Sequence, residues 1–484
     1  MQIELHSSIQ QKKIPRPPAL PITGSMPFIG KNMHLAFTKL AKEYGNVFQV
    51  RMFFQNVIVL NGLETIRQAL LKQQENFAGR PQVYIIENAI RGKSIGGADY
   101  GVLFKRHREI AISALHTILE NNTAEQEIIE EANELANIFL SYGSQPFEPE
   151  VDIGLSVTNY MSRMLFKEKF SRDNEDLIIF VKNAQSFTNN NISAIFFISV
   201  MSLPLFKKVN NLQKLFKQKL GKWQEATNLA ESLFLKKLHE HQASYNPNNL
   251  RGIADALMKA ASEIDESEKQ TLDLTKERIV EATVQEMMGT GTQPVAPILR
   301  WAILYAIAYP DIQDKIHQEL DTVIGREQPV RYEKRTKLPF TQACIHEILR
   351  HAPAFPMSIP HAATADTTID GYFIPKNTPV SINLYSLTRD DRYWEEPEKF
   401  NPYRFLTESG EIREDLLDKY YPFGLGKRRC LGEFLGRLAI FSLLTNLMHK
   451  CKFERVADEK LSFEGMPGAV VTPMPYKVIV KPRF

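Results

Sequence analysis

The tightest constraint on this chain is a short stretch near its C-terminal end. Phe423, Gly426, Arg428, Cys430 and Gly432 stand in the spacing Phe-x-x-Gly-x-Arg-x-Cys-x-Gly, inside Tyr420-Tyr-Pro-Phe-Gly-Leu-Gly-Lys-Arg-Arg-Cys-Leu-Gly-Glu433. An apolar run with helical spacing opens at Leu431. The stretch therefore presents one thiol on a loop of glycines and cations, just ahead of a helix. A lone cysteine cannot build a structural zinc site, which needs about four ligands. A helix N-terminus and the cations Lys427, Arg428 and Arg429 are expected to lower the thiol pKa.

A single thiolate of this kind suits the axial position of a haem iron, where it donates electron density. The glycines would let the backbone pass close to a flat macrocycle, and Arg428 is placed to pair with a haem propionate. The spacing resembles the haem-binding loop of the cytochrome P-450 family, the haem-thiolate monooxygenases. Within that family the stretches LPITGSMPFIG, FAGRPQ, IPHAATADTTIDGYFIPK and FGLGKRRCLGE are most similar to the steroid 17-alpha-hydroxylase and aryl-hydrocarbon-hydroxylating microsomal branches. The resemblance implies a mainly α fold with a smaller β region. Haem b would lie buried between a long central helix and the helix that follows the Cys430 loop. It also implies a leader and proline-rich hinge over residues 1–30 and one haem domain over 31–484.

Composition agrees with a large folded body. Hydrophobic residues make up 43% of 484 positions, which excludes wholesale disorder. The formal net charge of +3 is weak evidence for any polyanionic partner, and no nucleic-acid partner is expected. Three cysteines, Cys344, Cys430 and Cys451, form no disulfide framework and point to a reducing compartment. Met1 to Ile14 is polar and reads as neither signal peptide nor membrane span. Lys12, Lys13 and Arg16 then meet Pro15, Pro17, Pro18 and Pro21, a basic patch and a stiff extended hinge. The resemblance implies the cytoplasmic face of the endoplasmic reticulum membrane. With no anchor seen in this chain, either the anchor was removed or lost, or attachment is peripheral and the protein cytoplasmic.

Along the chain, Asn32 to Tyr44 is predicted helical, with Gly45 as its C-cap. Val47 to Leu60 is predicted as two strands that turn at Gln55-Asn56. Gly79-Arg80-Pro81 is expected to end the next helix and to open a loop to about Asp99, which borders the substrate cavity in the resembled family. In Phe104-Lys-Arg-His-Arg108, Arg108 matches a propionate-binding arginine of that family, and Phe104 replaces its usual tryptophan. From 120 to 270 the pattern is generic amphipathic helix. Ala194 to Phe206 is either plain core or an apolar membrane-facing surface. Asn191 is in register with a steroid-contacting asparagine of the resembled branch, so it is a candidate substrate-binding residue beside the simpler reading of a polar helix end.

Thr275 to Tyr309 is predicted as one long helix, capped by Thr275 and stopped by Pro310. Where the family carries Gly-x-Gly-x-acid-Thr, this chain reads Gly289-Thr-Gly291-Thr-Gln293-Pro294. The glycines leave room for oxygen, but the acid and the alcohol that pass protons are gone. Pro294 and Pro297 remove the N–H groups that would reach the carbonyls of Thr290 and Gln293, so a kink is expected. Thr290, one turn before Pro294, is the candidate replacement hydroxyl, and Thr290 with Gly291 is expected to line the oxygen pocket.

Glu347 and Arg350, at i and i+3, share a helix face. The resemblance joins them to Arg404 of Pro402-Tyr-Arg-Phe405 in a structural triad, and gives His361 a propionate. Lys105, Arg106, Lys427 and Arg429 would form a basic face for an acidic flavoprotein, an NADPH-cytochrome reductase. The implied reaction inserts one oxygen atom from O2 into a lipophilic, steroid-like or aromatic molecule. The alternatives are a haem-thiolate isomerase or dehydratase acting on a hydroperoxide, and a non-catalytic haem sensor.

Overall fold

The computed structural model describes residues 12–82, 92–120, 123–189 and 228–484. Asn191 and Ala194 to Phe206 lie outside them. The architecture is mainly helical with small sheets. Helix Glu433–Lys450 is buried on almost every side and packs against Thr123–Ser141, Val295–Ala308 and Pro310–Val323. An all-round apolar sequence such as FLGRLAIFSLL suits an element with no solvent face. Helix Glu150–Phe166 is buried in the same way and lies against the central helix.

The long central helix forms as expected. Thr275 caps it, its Oγ1 accepting the Arg278 N–H at 3.2 Å. The helix runs as a π-helical turn Glu277–Ala282, then Thr283–Thr292, then Val295–Ala308. Pro310 opens the next helix at its first position, where a missing N–H costs nothing. Between the two α segments the helix lapses into a turn, yet Gln293 (φ −59°, ψ −38°) and Pro294 (φ −83°, ψ −34°) keep helical dihedrals. The prolines interrupt the ladder while the backbone at the break stays in the helical region.

The largest sheet has four strands in the order Val47–Met52, Gln55–Leu60, Pro379–Ile382, His361–Ala362. Its first hairpin turns at Phe53-Phe54 and not at Gln55-Asn56. Gln55 pairs with Met52, and Phe53 takes the left-handed conformation (φ 53°) that closes the turn. Gly45 does cap helix Met33–Tyr44, with its N–H on the Ala41 carbonyl. Gly79-Arg80-Pro81 does not end a helix. The helical segment stops at Lys72, and Gly79 instead bridges to Ala362. A Cβ at Gly79 would come within 2.8 Å of the Ala362 carbonyl oxygen. This close bridge sets Arg80 beside His361.

Candidate cofactor site

The Cys430 loop is held by its backbone. Gly424 (φ 68°) and Gly426 (φ 71°) occupy left-handed conformations, and a side chain on Gly426 would overlap the Leu70 carbonyl. The Cys430 N–H donates to the Phe423 carbonyl at 2.9 Å, closing the loop. Gly432 occupies the N-cap of helix Glu433–Lys450. The Phe423 ring sits under the Arg437 guanidinium, 4.8 Å away. The surrounding protein penalises the charged form of Cys430, and the thiol pKa is raised. The Gly432 N–H, Arg108 and Arg429 pull the other way. Of the three cations in the stretch, Arg429 is the one among the main influences on the thiol, and Arg428 is turned inward. A bound metal cation would reverse this balance and deprotonate the thiol.

Inward of the loop lies a cluster of cations. Arg428 donates through Nε to the Ala78 carbonyl and through Nη2 to the Ala98 carbonyl, both at 2.7 Å. Its guanidinium stacks 3.9 Å from the Phe104 ring, which is what phenylalanine does in place of the tryptophan. Its buried Nη1 has no acceptor among the described residues. Arg80 donates to the carbonyls of Gly96 (2.7 Å) and Pro360 (2.9 Å). Burial and the Arg428 charge lower its pKa to about 9.

His361 is buried, with Nδ1 on the Phe77 carbonyl at 2.6 Å. Burial first, then Arg80 and Arg428, push its pKa down to about 3. A carbonyl only accepts, so Nδ1 carries the proton and Nε2 is left as a lone pair. Arg108 donates to the Arg429 carbonyl at 2.6 Å; its pKa is lowered by burial, against the pull of Cys430 and Glu286. An unpartnered buried N–H among like charges calls for carboxylates, since an orphaned buried donor costs about 1–3 kcal/mol. The residues present therefore fit a group that carries a metal on one side and carboxylates on its edge.

On the central helix, Thr290 is exposed and donates to the Glu286 carbonyl at 2.7 Å. A Cβ at Gly289 would meet no atom within 4 Å, whereas one at Gly291 would meet Met161 Sδ at 2.5 Å. The Gly291 carbonyl accepts the Tyr160 hydroxyl at 3.1 Å. Gly291 thus lets helix Glu150–Phe166 pack closely, and the open flank belongs to Gly289 and Thr290.

Glu347, Arg350 and Arg404 do meet. Arg350 pairs with Glu347 through two bonds of 2.7 Å, both side chains fully buried. Arg404 Nε reaches the same carboxylate at 3.2 Å. Of the basic face, Arg106 is paired with Glu268 and Glu109, Arg429 with Glu433, and Lys105 lies 3.5 Å from Glu75.

Two residues of this region carry no sign of their role in the sequence. Arg80 lies in FAGRPQ, where Gly79-Arg80-Pro81 reads only as a helix end. Glu286 carries no sequence signal at all, being an ordinary acid on a helix until a distant loop meets it.

A family model described as Cytochrome P450 matches residues 14–480. Cytochrome P450 1A2 of Rattus norvegicus is 34% identical, the match covering 98% of this chain and 90% of that protein. Cytochrome P450 1A1 of Mesocricetus auratus is 33% identical over 94% of this chain and 87% of that protein. A zebra fish cytochrome P450 structure with progesterone superposes at a TM-score of 0.79, with 26% identity over 93% of this chain and 99% of that one. Another zebra fish structure, with abiraterone, gives 0.78 at the same identity, covering 93% of this chain and 100% of that one. With the loop, the fold and a match over nearly its whole length in agreement, the chain belongs to the Cytochrome P450 family and is a haem-thiolate monooxygenase acting on lipophilic molecules.

Proposed function

We propose that Cys430 ligates the iron of haem b, that Arg80, Arg108, Arg428 and His361 hold its propionates, and that Thr290 borders the oxygen-binding side. The single observation that carries this reading is the buried, unpartnered Nη1 of Arg428 beside Arg80 and His361. Haem supplies the activation of O2. The protein's part is to position, to exclude water and to pass protons. The Phe423, Gly426 and Gly432 backbone keeps the sulfur on the loop's inner side. A propionate next to His361 would favour the imidazolium, whose Nε2 would then donate to it. Gln293 and Pro294 carry no acid and no hydroxyl, which leaves Thr290 as the side-chain alcohol nearest that lapse on the same helix face.

The substrate is proposed to be a fused-ring lipophile, steroid-like or aromatic. Support comes from the progesterone and abiraterone structures among the neighbours and from the resemblance of the 181–193 stretch to the steroid-hydroxylating branch, which makes Asn191 the proposed partner of a ring oxygen. Electrons are proposed to come from an NADPH-cytochrome reductase docking on the face around Lys105, Lys427 and Arg429. Among the described residues no single helix is long and apolar enough to cross a membrane. The proposed site of work is the cytoplasmic face of the endoplasmic reticulum membrane.

The reduced, carbon monoxide-bound protein should show the red-shifted band of thiolate haem. Cys430→Ser should abolish it. Cys344→Ser and Cys451→Ser should keep it, since both thiols are buried and held protonated by burial. A thiolate band surviving in Cys430→Ser refutes the assignment.

A further inference from the structure

Glu286 stands on the central helix four residues before Thr290, and the mechanism above makes no use of its side chain. Its carboxylate is committed elsewhere. Oε2 accepts the Ile95 N–H at 2.6 Å and Oε1 accepts the Gly96 N–H at 2.7 Å. Two successive backbone N–H groups on one carboxylate form a charge-assisted clamp, about twice as strong as neutral bonds. The loop is shaped to receive it, for a Cβ on Gly96 would come within 2.8 Å of Glu286 Oε1.

The same few residues are tied to the cofactor cations. Arg80 Nε holds the Gly96 carbonyl at 2.7 Å and Arg428 Nη2 holds the Ala98 carbonyl at 2.7 Å. Gly96 is thus gripped through its N–H by an acid of the central helix and through its carbonyl by an arginine of the proposed propionate cluster. Lys93 adds an ion pair to Glu277 on the same helix. Ile95 is buried against Phe104, Ala111, Met287 and Leu431. Glu286 is half-buried; burial raises its pKa, while the Gly96 and Ile95 N–H groups, then Arg80 and Arg108, favour its ionised form.

We infer that Glu286 is a positioning residue, a carboxylate latch that holds loop 93–98 between the central helix and the cation cluster and thereby sets how tightly the lipophile cavity is closed on that side. The inference rests on the reading of the loop as a wall of that cavity. A glutamine cannot replace the latch, because its amide offers one acceptor oxygen and turns an N–H2 toward the other backbone donor. A shorter acid would keep the charge and lose the reach.

Two variants break the latch from opposite sides. Glu286→Gln removes the acceptor, and Gly96→Ala pushes the acceptor off while leaving the charge intact. Hydrogen exchange read by mass spectrometry on peptides spanning 93–98 needs no cofactor and no activity. Both variants should exchange about tenfold faster there, with peptides of helix Val102–Leu119 unchanged. In the haem-loaded protein, 4-phenylimidazole followed by its Soret shift should associate several-fold faster in both variants, and the pair combined should add little more. Unchanged exchange in Glu286→Gln overturns the latch. Faster exchange with an unchanged association rate overturns its role in closing the cavity. Absence of a thiolate band in the wild type would instead refute the Cys430 assignment, and would leave the exchange result standing on its own.

Discussion

Replacing Glu347 by glutamine is the sharpest stability test the structure offers. The Glu347 carboxylate accepts two bonds from Arg350 at 2.7 Å, one from Arg404 at 3.2 Å and one from the Asn401 N–H at 2.8 Å. Glu347 and Arg350 are fully buried, and the Arg404 side chain is only 8% exposed. Glutamine keeps one acceptor oxygen but leaves two guanidinium groups without a counter-charge. Breaking a buried ion pair from one side costs about 3–5 kcal/mol. Urea m-values of about 3 kcal/mol per molar or more then place the fall in midpoint at about 1 M. Trp394 is a built-in reporter, since the Arg350 guanidinium lies 5.3 Å from its ring and the chain has only three tryptophans. Arg404→Met should cost less, because Glu347 keeps Arg350, and the double variant should fall short of the sum. A Glu347→Gln loss under about 1 kcal/mol, the range of exposed surface pairs, would refute the argument that this triad locks segment 395–404 to helix Pro339–His351.

Three other outcomes are expected. Gly291→Ala should press its new methyl onto Met161 and cost about 1–3 kcal/mol, and Met161→Ala in the same chain should restore part of it; no rescue in thermal unfolding would deny the close helix contact. The double change Gln293→Glu with Pro294→Thr returns an acid and an alcohol to the central helix and should raise product formed per NADPH consumed; equal coupling would show that Thr290 or water already serves. His107, His346 and His351 have pKa values lowered to about 4, 4 and 3, by burial first. Below the unfolded value of about 6.5 the unfolded chain takes up protons that the folded chain refuses. Stability present above pH 6.5 should therefore drain away as pH falls toward 4, and His346→Gln should flatten that slope in urea midpoints taken across the window.

Periodicity and local chemistry carried much of this protein. The cap at Thr275, the restart at Pro310, the stop at Gly45 and the Glu347–Arg350 pair all depend on neighbours within a few positions, so spacing alone announces them. The Cys430 loop is local in the same sense, its glycines and its helix start lying within one stretch. What folding decided is whatever joins distant segments. Arg80 and His361 meet because Gly79 bridges to Ala362, a contact across nearly 300 positions. Arg428 turns from the thiol toward the carbonyls of Ala78 and Ala98. Gly291 makes a close packing contact with Met161 that no local spacing announces. The thiol pKa rose instead of falling because burial, which depends on everything packed around the sulfur, outweighs the charges beside it. Glu286 shows the division most plainly. Its residue type and its helix are written in the chain, but its partners are two backbone N–H groups that only the packing of the 93–98 loop against the central helix could deliver, since backbone donors are the same in every residue and leave no mark in a sequence.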